Sequence, residues 1–265
     1  MEPPPKDEMD GYEGRGLLDG KRALITGGDS GIGRAVAIAF AKEGANVAIA
    51  YLSEDDDARY TAKLVEQCNR KAVLIPGDLS EERNCENAIR RTVDDLGGID
   101  ILVNNIAYQS PQESLTDITT EQWDYTFKTN IYSYFWCTKL ALKHMPNGGA
   151  IINTASINGL RGNKTLIDYS ATKGAILAFT YSMAQSLQER NIRVNCVAPG
   201  PVWTPLIPAT MPPEKVASFG KQVPMQRAAQ PDEIAPSYVF FASSTMSSYY
   251  SGEVLAPIGG ETLPG

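Results

Sequence analysis

Histidine is almost missing from this 265-residue sequence: His144 is the only one. Cysteine is scarce too, with Cys68, Cys85, Cys137 and Cys196 far apart and no C-x-x-C. That leaves little from which to build a metal site. The spread thiols read as small buried hydrophobes in a reducing compartment. No apolar run approaches the length that spans a bilayer. The opening Met1-Glu2-Pro3-Pro4-Pro5-Lys6-Asp7-Glu8 lacks the basic start and apolar stretch of a signal peptide. The simplest expectation is a soluble cytoplasmic protein. Cations are in deficit, 24 against 31 acidic residues, for a net charge of -7. An acidic chain has no overall attraction for nucleic acid or anionic membrane, so neither is expected as a partner. Gly28-Asp29-Ser30-Gly31 resembles a serine-protease nucleophile string. Such a protease needs a histidine base, and His144, in a helical stretch, reads as a helix-end residue. No Lys-Ser/Thr pair completes a triphosphate-binding P-loop.

The sequence does hold a regular alternation. Residues 1–20 are polar, rich in Pro and Gly, and aperiodic, which suggests a flexible arm. A second reading lays this arm over a neighbouring subunit. From residue 21 short apolar runs take over: Ala23–Thr26, Val47–Ala50, Ala72–Ile75, Ile101–Val103, Ala150–Asn153, Ile192–Cys196 and Glu253–Ala256. Helical stretches separate them, over 32–42, 55–69, 81–95, 120–144, 169–190 and 231–242. Buried strands alternating with helices predict parallel βαβ units with right-handed crossovers. The expected fold is α/β, a single Rossmann-type doubly wound sheet of about seven strands over 21–265, with helices on both faces. Six prolines between Pro199 and Pro213 discourage a long helix. The segment 199–220 reads as a substrate loop, serving either as a lid or as a plain surface excursion.

Between the first strand and the first helix lies Thr26-Gly27-Gly28-Asp29-Ser30-Gly31-Ile32-Gly33. Glycines let backbone turn tightly and approach a pyrophosphate, and the free N–H groups of the following helix face the anion. A Gly-rich string alone is weak; its strand–loop–helix setting strengthens it. The other reading is a tight βα turn without ligand.

Tyr169-Ser170-Ala171-Thr172-Lys173 adds a Y-x-x-x-K at a helix start. Together with the Gly loop it resembles the short-chain dehydrogenase/reductase family, over roughly residues 17–260. The family's other motifs follow in order: Asp78-Leu79 after the third strand, Asn104-Asn105-Ile106-Ala107 after the fourth and Asn130 in the long helix. Ser156 comes after the fifth strand and Pro199-Gly200 after the sixth. Gly-Gly-Asp-Ser-Gly-Ile-Gly-Arg, the polar arm and Ala198–Pro205 look like the branch of stress-related and glucose/ribitol-dehydrogenase-like members. One departure is plain: the family usually has N-N-A-G where this chain has N-N-I-A. The larger Ile106 is expected to narrow the space beside the adenine ribose.

The resemblance implies an NAD(P)(H)-dependent oxidoreductase that moves hydride between nicotinamide and an alcohol or carbonyl substrate: an aldehyde, ketone, sugar or polyol. Tyr169 would be the acid/base. Lysine one helical turn away faces the same side, and its charge would lower the tyrosine pKa from about 10. Lys173 would also bond the nicotinamide ribose, Ser156 would hold the substrate oxygen, and Asn130 would hold a water leading to solvent. The pyrophosphate falls to Gly27, Ser30, Gly31, Ile32 and Gly33. Asp78 and Leu79 would meet the adenine, Asn104, Ile106 and Ala107 the adenosine side. Pro199, Gly200, Val202 and Thr204 would meet the carboxamide. Ile157, Asn158, Gly159, Trp203, the 205–215 segment, Tyr108 and Gln109 would wall the substrate pocket.

An acid at the end of the second strand selects NAD; a nearby arginine selects NADP. Here Tyr51 and Leu52 stand at those positions, so neither rule applies. Ser53 would bond a 2′-phosphate, whereas Glu54-Asp55-Asp56-Asp57 would repel it. NADP is weakly favoured over NAD, with dual use expected. The resemblance also implies a homotetramer, with Tyr249, Tyr250 and the C-terminus at an interface. A rival reading is a non-catalytic NAD(P)H-binding sensor, for which the Tyr169/Lys173 pair has no use. Epimerases and dehydratases of this fold need further carboxylates or a longer chain, and enoyl reductases space Tyr and Lys more widely.

Overall fold

The apolar runs pair into one sheet in the computed structural model, which describes residues 3–262. Its strands are β1 (Arg22–Thr26), β2 (Asn46–Tyr51), β3 (Ala72–Pro76), β4 (Ile101–Asn104), β5 (Ala150–Thr154), β6 (Arg193–Val197) and β7 (Val254–Leu255). Their order across the sheet is β3-β2-β1-β4-β5-β6-β7, and every pairing is parallel. The chain winds outward from β1 in one direction and from β4 in the other. The crevice beyond the carboxyl ends of these two strands is where a doubly wound sheet takes its ligand.

Helices cover both faces. In chain order they are α1 (Gly31–Lys42), α2 (Asp55–Gln67), α3 (Glu82–Leu96), α4 (Thr120–Phe127), α5 (Ser133–Ala141) and α6 (Ile157–Arg161). Then come α7 (Ile167–Ser186), α8 (Leu206–Thr210), α9 (Pro213–Ala217), α10 (Pro231–Ala242) and α11 (Ser244–Ser247). Successive strand residues point to opposite faces, so the core divides in two. Ile25 and Ile49 pack with Phe40 of α1 and with Ile234 and Tyr238 of α10. Leu24 and Ala48 pack with Ala88 of α3, Cys137 of α5 and Ala184 of α7 on the other side. No helix among the described residues is long and apolar enough to cross a membrane.

Two features depart from the sequence expectation. The long helix over 120–144 is interrupted: a π turn at Lys128–Tyr132 separates α4 from α5, and regular helix ends at Ala141. The other departure is the arm. Its composition suggests a loose segment, yet residues 3–20 lie packed on the domain. Met9 and Leu18 are buried in the α1 core, and the Glu43 carboxylate accepts from the Arg15 and Leu17 N–H groups and the Tyr12 hydroxyl. Apolar anchors at two positions suffice to hold a polar segment whose backbone finds acceptors. Met1, Glu2 and residues 263–265 lie outside the described residues.

Phe40, fully buried where α1 meets α10, gives a direct check on this packing. Truncation Phe40→Ala is expected to cost about 3–5 kcal/mol. The urea midpoint should fall with the slope unchanged.

Candidate active site

At the carboxyl edge of β1 the chain turns through the Gly loop into α1. Gly27 (φ 64°) and Gly31 (φ 53°) adopt left-handed backbone that other residues avoid. Gly33 allows the closest approach: a Cβ there would sit 1.8 Å from the Gly27 carbonyl oxygen. The Asn105 side chain donates to the Thr26 and Gly27 carbonyls and ties the loop to the end of β4. Ile106 packs on Gly27.

A cavity of about 750 Å3 opens from this loop along the carboxyl ends of the strands. Gly27, Ser30, Gly31, Ile32, Tyr51, Leu52, Asp78, Leu79, Ile106, Ala107, Pro199, Gly200, Val202 and Thr204 all line it, as do Ser156, Tyr169 and Lys173. The Tyr51 hydroxyl donates to Asp55 at 2.7 Å, and Asp29, Glu54 and Asp57 give the adjoining rim its negative charge. Burial raises the Asp29 pKa above the usual carboxylate value.

Three expected cofactor contacts lie off the lining. Gly33 sits under the loop against Gly27. Ser53 is exposed beyond the cavity edge. Asn104 is buried in the sheet interior, donating to Asn153 Oδ1 at 2.9 Å and Thr138 Oγ1 at 3.2 Å. Strand alternation turns Asn104 away and presents its neighbour Asn105 instead. The expected substrate wall also changes. Gly159 backs onto the Lys173 peptide, where a Cβ would lie 2.6 Å from the carbonyl carbon. Trp203 turns outward, its Nε1 donating to the Pro3 carbonyl at 2.9 Å. Tyr108, Gln109, Ile157 and Asn158 do line the cavity, joined by Phe219 of the 199–220 segment and by Arg161 and Leu166, which the sequence pattern did not single out.

Tyr169 and Lys173 share one face of α7, as their spacing requires. Lys173 is fully buried; its Nζ donates to the Thr154 carbonyl at 2.8 Å and lies 5.4 Å from the Tyr169 ring centroid. Burial pulls the lysine down to about 7 and pushes the tyrosine up to about 12, with the Ser156 hydroxyl acting in the other direction. The expected lowering of the tyrosine by the lysine is therefore overturned here. The same dry surroundings disfavour both charged forms. Ser156 caps α6, its Oγ accepting the Asn158 N–H.

Asn130 sits in the π turn, fully buried. Its Oδ1 accepts the Tyr108 N–H at 2.7 Å, and its Nδ2 donates to the Tyr108 carbonyl and Thr172 Oγ1. Asp168, whose side chain the sequence reading passed over, is fully buried beside Tyr169. Its carboxylate accepts from Thr126 Oγ1, Gln122 Nε2 and the Tyr169 N–H, holding the first turn of α7 in place. An acid next to the candidate tyrosine at a helix start was a signal available in the sequence.

The cradle that a Cβ would fill, the Gly loop leading into α1 and the volume of the cavity fit a dinucleotide. Known proteins agree. A family model described as enoyl-(acyl carrier protein) reductase matches residues 27–262. General stress protein 39 of Bacillus subtilis (strain 168) is 57% identical over 260 residues, 98% of this chain and 91% of that protein. The NADPH-dependent aldehyde reductase 1, chloroplastic, of Arabidopsis thaliana is 49% identical, covering 99% of this chain and 93% of its own. A short-chain dehydrogenase crystal structure from Burkholderia cenocepacia J2315, in complex with NADP, matches with a TM-score of 0.86 at 32% identity, covering 92% and 98% of the two chains. By extent, fold and sequence alike, the chain belongs to the short-chain dehydrogenase/reductase family of NAD(P)-dependent oxidoreductases.

Proposed function

We propose that the protein reduces small aldehydes and ketones, open-chain sugars included, with NADPH as the favoured cofactor and Tyr169 as the proton donor. The observation that carries this reading is the convergence of Ser156, Tyr169 and Lys173 on the same cavity as the Gly loop. The names of the Arabidopsis relative and the Burkholderia complex support the choice of NADPH. The acidic rim of Asp29, Glu54 and Asp57 weighs against a 2′-phosphate, so NADH is expected to serve as well.

The residues have distinct tasks. Gly27, Gly31 and Ile32 would take the pyrophosphate, Asp78 and Leu79 the adenine, and Pro199 to Thr204 the carboxamide. NADPH, when bound, supplies the hydride that the carbonyl carbon receives. The Ser156 hydroxyl orients the carbonyl oxygen and stabilises its developing charge. The Tyr169 O–H bond breaks as that oxygen takes the proton, leaving a tyrosinate. An ammonium on Lys173 stabilises this tyrosinate, which regains its proton through Lys173 and a water held near Asn130. The remaining wall mixes polar Gln109, Asn158 and Arg161 with apolar Leu166, Ile207 and Phe219. That mixture suits a short carbon chain bearing hydroxyl groups. The segment that carries α8 and α9 contributes Ile207, Met211 and Phe219 and acts as the lid over this end.

Activity should be followed by loss of reduced-cofactor absorbance, with NADPH and NADH in parallel, against aldehydes, ketones and sugars. Turnover is expected with both cofactors, faster with NADPH. Tight dinucleotide binding without turnover on any substrate would return the chain to the sensor reading. The Tyr169→Phe variant should lose turnover by at least about a hundredfold while binding cofactor normally; retained activity removes Tyr169 from the mechanism. The pH profiles carry a sign. A tyrosine near 12 keeps its proton across neutrality, so reduction should not accelerate as pH rises. Alcohol oxidation needs the tyrosinate, whose population grows with pH, so log kcat/KM for oxidation should climb between roughly pH 6 and 9. A flat oxidation profile would contradict the assignment.

A further inference from the structure

The Gly loop is braced from behind by the N-terminal arm. Ser30 stands at the N-cap of α1, but its side chain makes no capping bond, and the first turn of the helix carries no acid. The missing acceptor arrives from far upstream: Asp7 Oδ2 accepts the Gly31 N–H at 3.0 Å. The same carboxylate faces Arg34 Nη1 at 3.3 Å. Arg34 passes the linkage on. Its Nε and Nη2 donate to the Asp29 carbonyl, at 3.0 and 2.8 Å, and Thr61 Oγ1 donates to that carbonyl at 2.8 Å. Nη2 also reaches Asp57 on the rim at 3.0 Å. Asp7 is only 2% exposed, and it is not among the residues that line the cavity. It grips the outer side of a loop whose inner side is the cradle.

Its position is not that of a chance contact by a wandering segment. On one side, Lys6 N–H donates to Gln230 Oε1 and the Lys6 carbonyl accepts the Asp232 N–H. On the other, Met9 N–H donates to Asp232 Oδ1, and the Tyr60 hydroxyl donates to Glu8. Trp203 Nε1 holds the Pro3 carbonyl. Two effects of the carboxylate on an incoming pyrophosphate compete. Its charge would repel the phosphates, while its bonds fix the shape of the loop that receives them. Arg34, itself nearly buried, cancels the charge at contact distance, so the geometric effect dominates.

On the reading of the cavity as a dinucleotide site, we propose that Asp7 is a positioning residue for the cofactor: through Gly31 and Arg34 it holds the phosphate loop in its receptive shape. Removing it leaves the Gly31 N–H without its acceptor and Arg34 without the more buried of its two carboxylate partners. The peptides of Asp29 and Gly31 then lose their fixed orientation before cofactor arrives, and binding must restore it.

The test uses the full chain with NADPH and NADH as probes, dinucleotide affinity read by fluorescence titration and kcat and KM by turnover. Asp7→Ala is expected to weaken both cofactors about tenfold, raising the cofactor KM and leaving kcat at saturation within about twofold. A role confined to stability would lower the melting temperature and leave the affinity of the folded protein unchanged. Glu8→Ala, which releases the neighbouring arm contact to Tyr60, should leave cofactor affinity as it was. Equal affinity in Asp7→Ala and wild type overturns the proposal, as does an equal loss in Glu8→Ala. If Asp7→Ala does not fold, Asp7→Asn decides by the same titration: an affinity about threefold weaker is expected, and wild-type affinity overturns it. Wild-type protein that binds neither dinucleotide sinks the cofactor reading itself, a result distinct from either.

Discussion

Helix α1 can begin where it does only because nothing larger than hydrogen stands on the Cα of Gly33. That single approach to the Gly27 carbonyl brings the helix start to the carboxyl end of β1. The rest of the cofactor end follows from it. Asn105 can reach two loop carbonyls from the end of β4, and Ile106 can rest on Gly27. The sheet order places β1 and β4 side by side, so the loop and the motif after β4 share one crevice. A contact of less than a side chain's width thus sets the position of a binding site formed by segments nearly eighty residues apart in sequence.

The catalytic end depends on a different economy. Lys173 is buried with one carbonyl as its hydrogen-bond acceptor, and that burial pulls its pKa down to about 7. Lysine is suited to this because a compact ammonium shifts its pKa readily on burial, where arginine stays charged. The tyrosine beside it keeps its proton for the same reason. Rigidity comes from the polar groups around them. Asp168 pins the start of α7, and Thr172 ties the Tyr169 carbonyl to the Asn130 side chain. These buried polar groups find their partners in α4, the π turn, α7 itself and the Tyr108 peptide after β4. The acid/base pair therefore rests on a hydrogen-bonded shell rather than on packing alone.

What could be read directly from the sequence was whatever repeats with a period or arrives in a fixed order. Strand runs such as Val47–Ala50 announced a sheet buried on both faces. The Gly loop and the Tyr169/Lys173 spacing carried their own physical reasons. The features that escaped notice depend on three-dimensional neighbours. Whether Asn104 or Asn105 faces the cavity turns on one step of strand alternation, which two adjacent asparagines do not reveal. Trp203 looked like a pocket wall until its partner, the Pro3 carbonyl, came from the other end of the chain. The arm read as loose because its anchors, Met9 and Leu18, are only two apolar residues in a polar run. The direction of the Tyr169 shift is hidden for a related reason: spacing on a helix shows proximity but is silent about burial.

The π turn at residues 128–132 has a consequence for how this protein can change. A π turn is an α-helix with one residue too many, and it gives up regular hydrogen bonding to accommodate it. Deleting a residue there would restore an unbroken helix from α4 into α5. The flanking helices would keep their faces, because the wide turn is what absorbs the extra residue, but the turn that aims Asn130 at Tyr108 and Thr172 would be lost. The more regular helix would hold the poorer site. In this stretch of chain, regular backbone hydrogen bonding and the placement of the Asn130 side chain make opposite demands on a single residue.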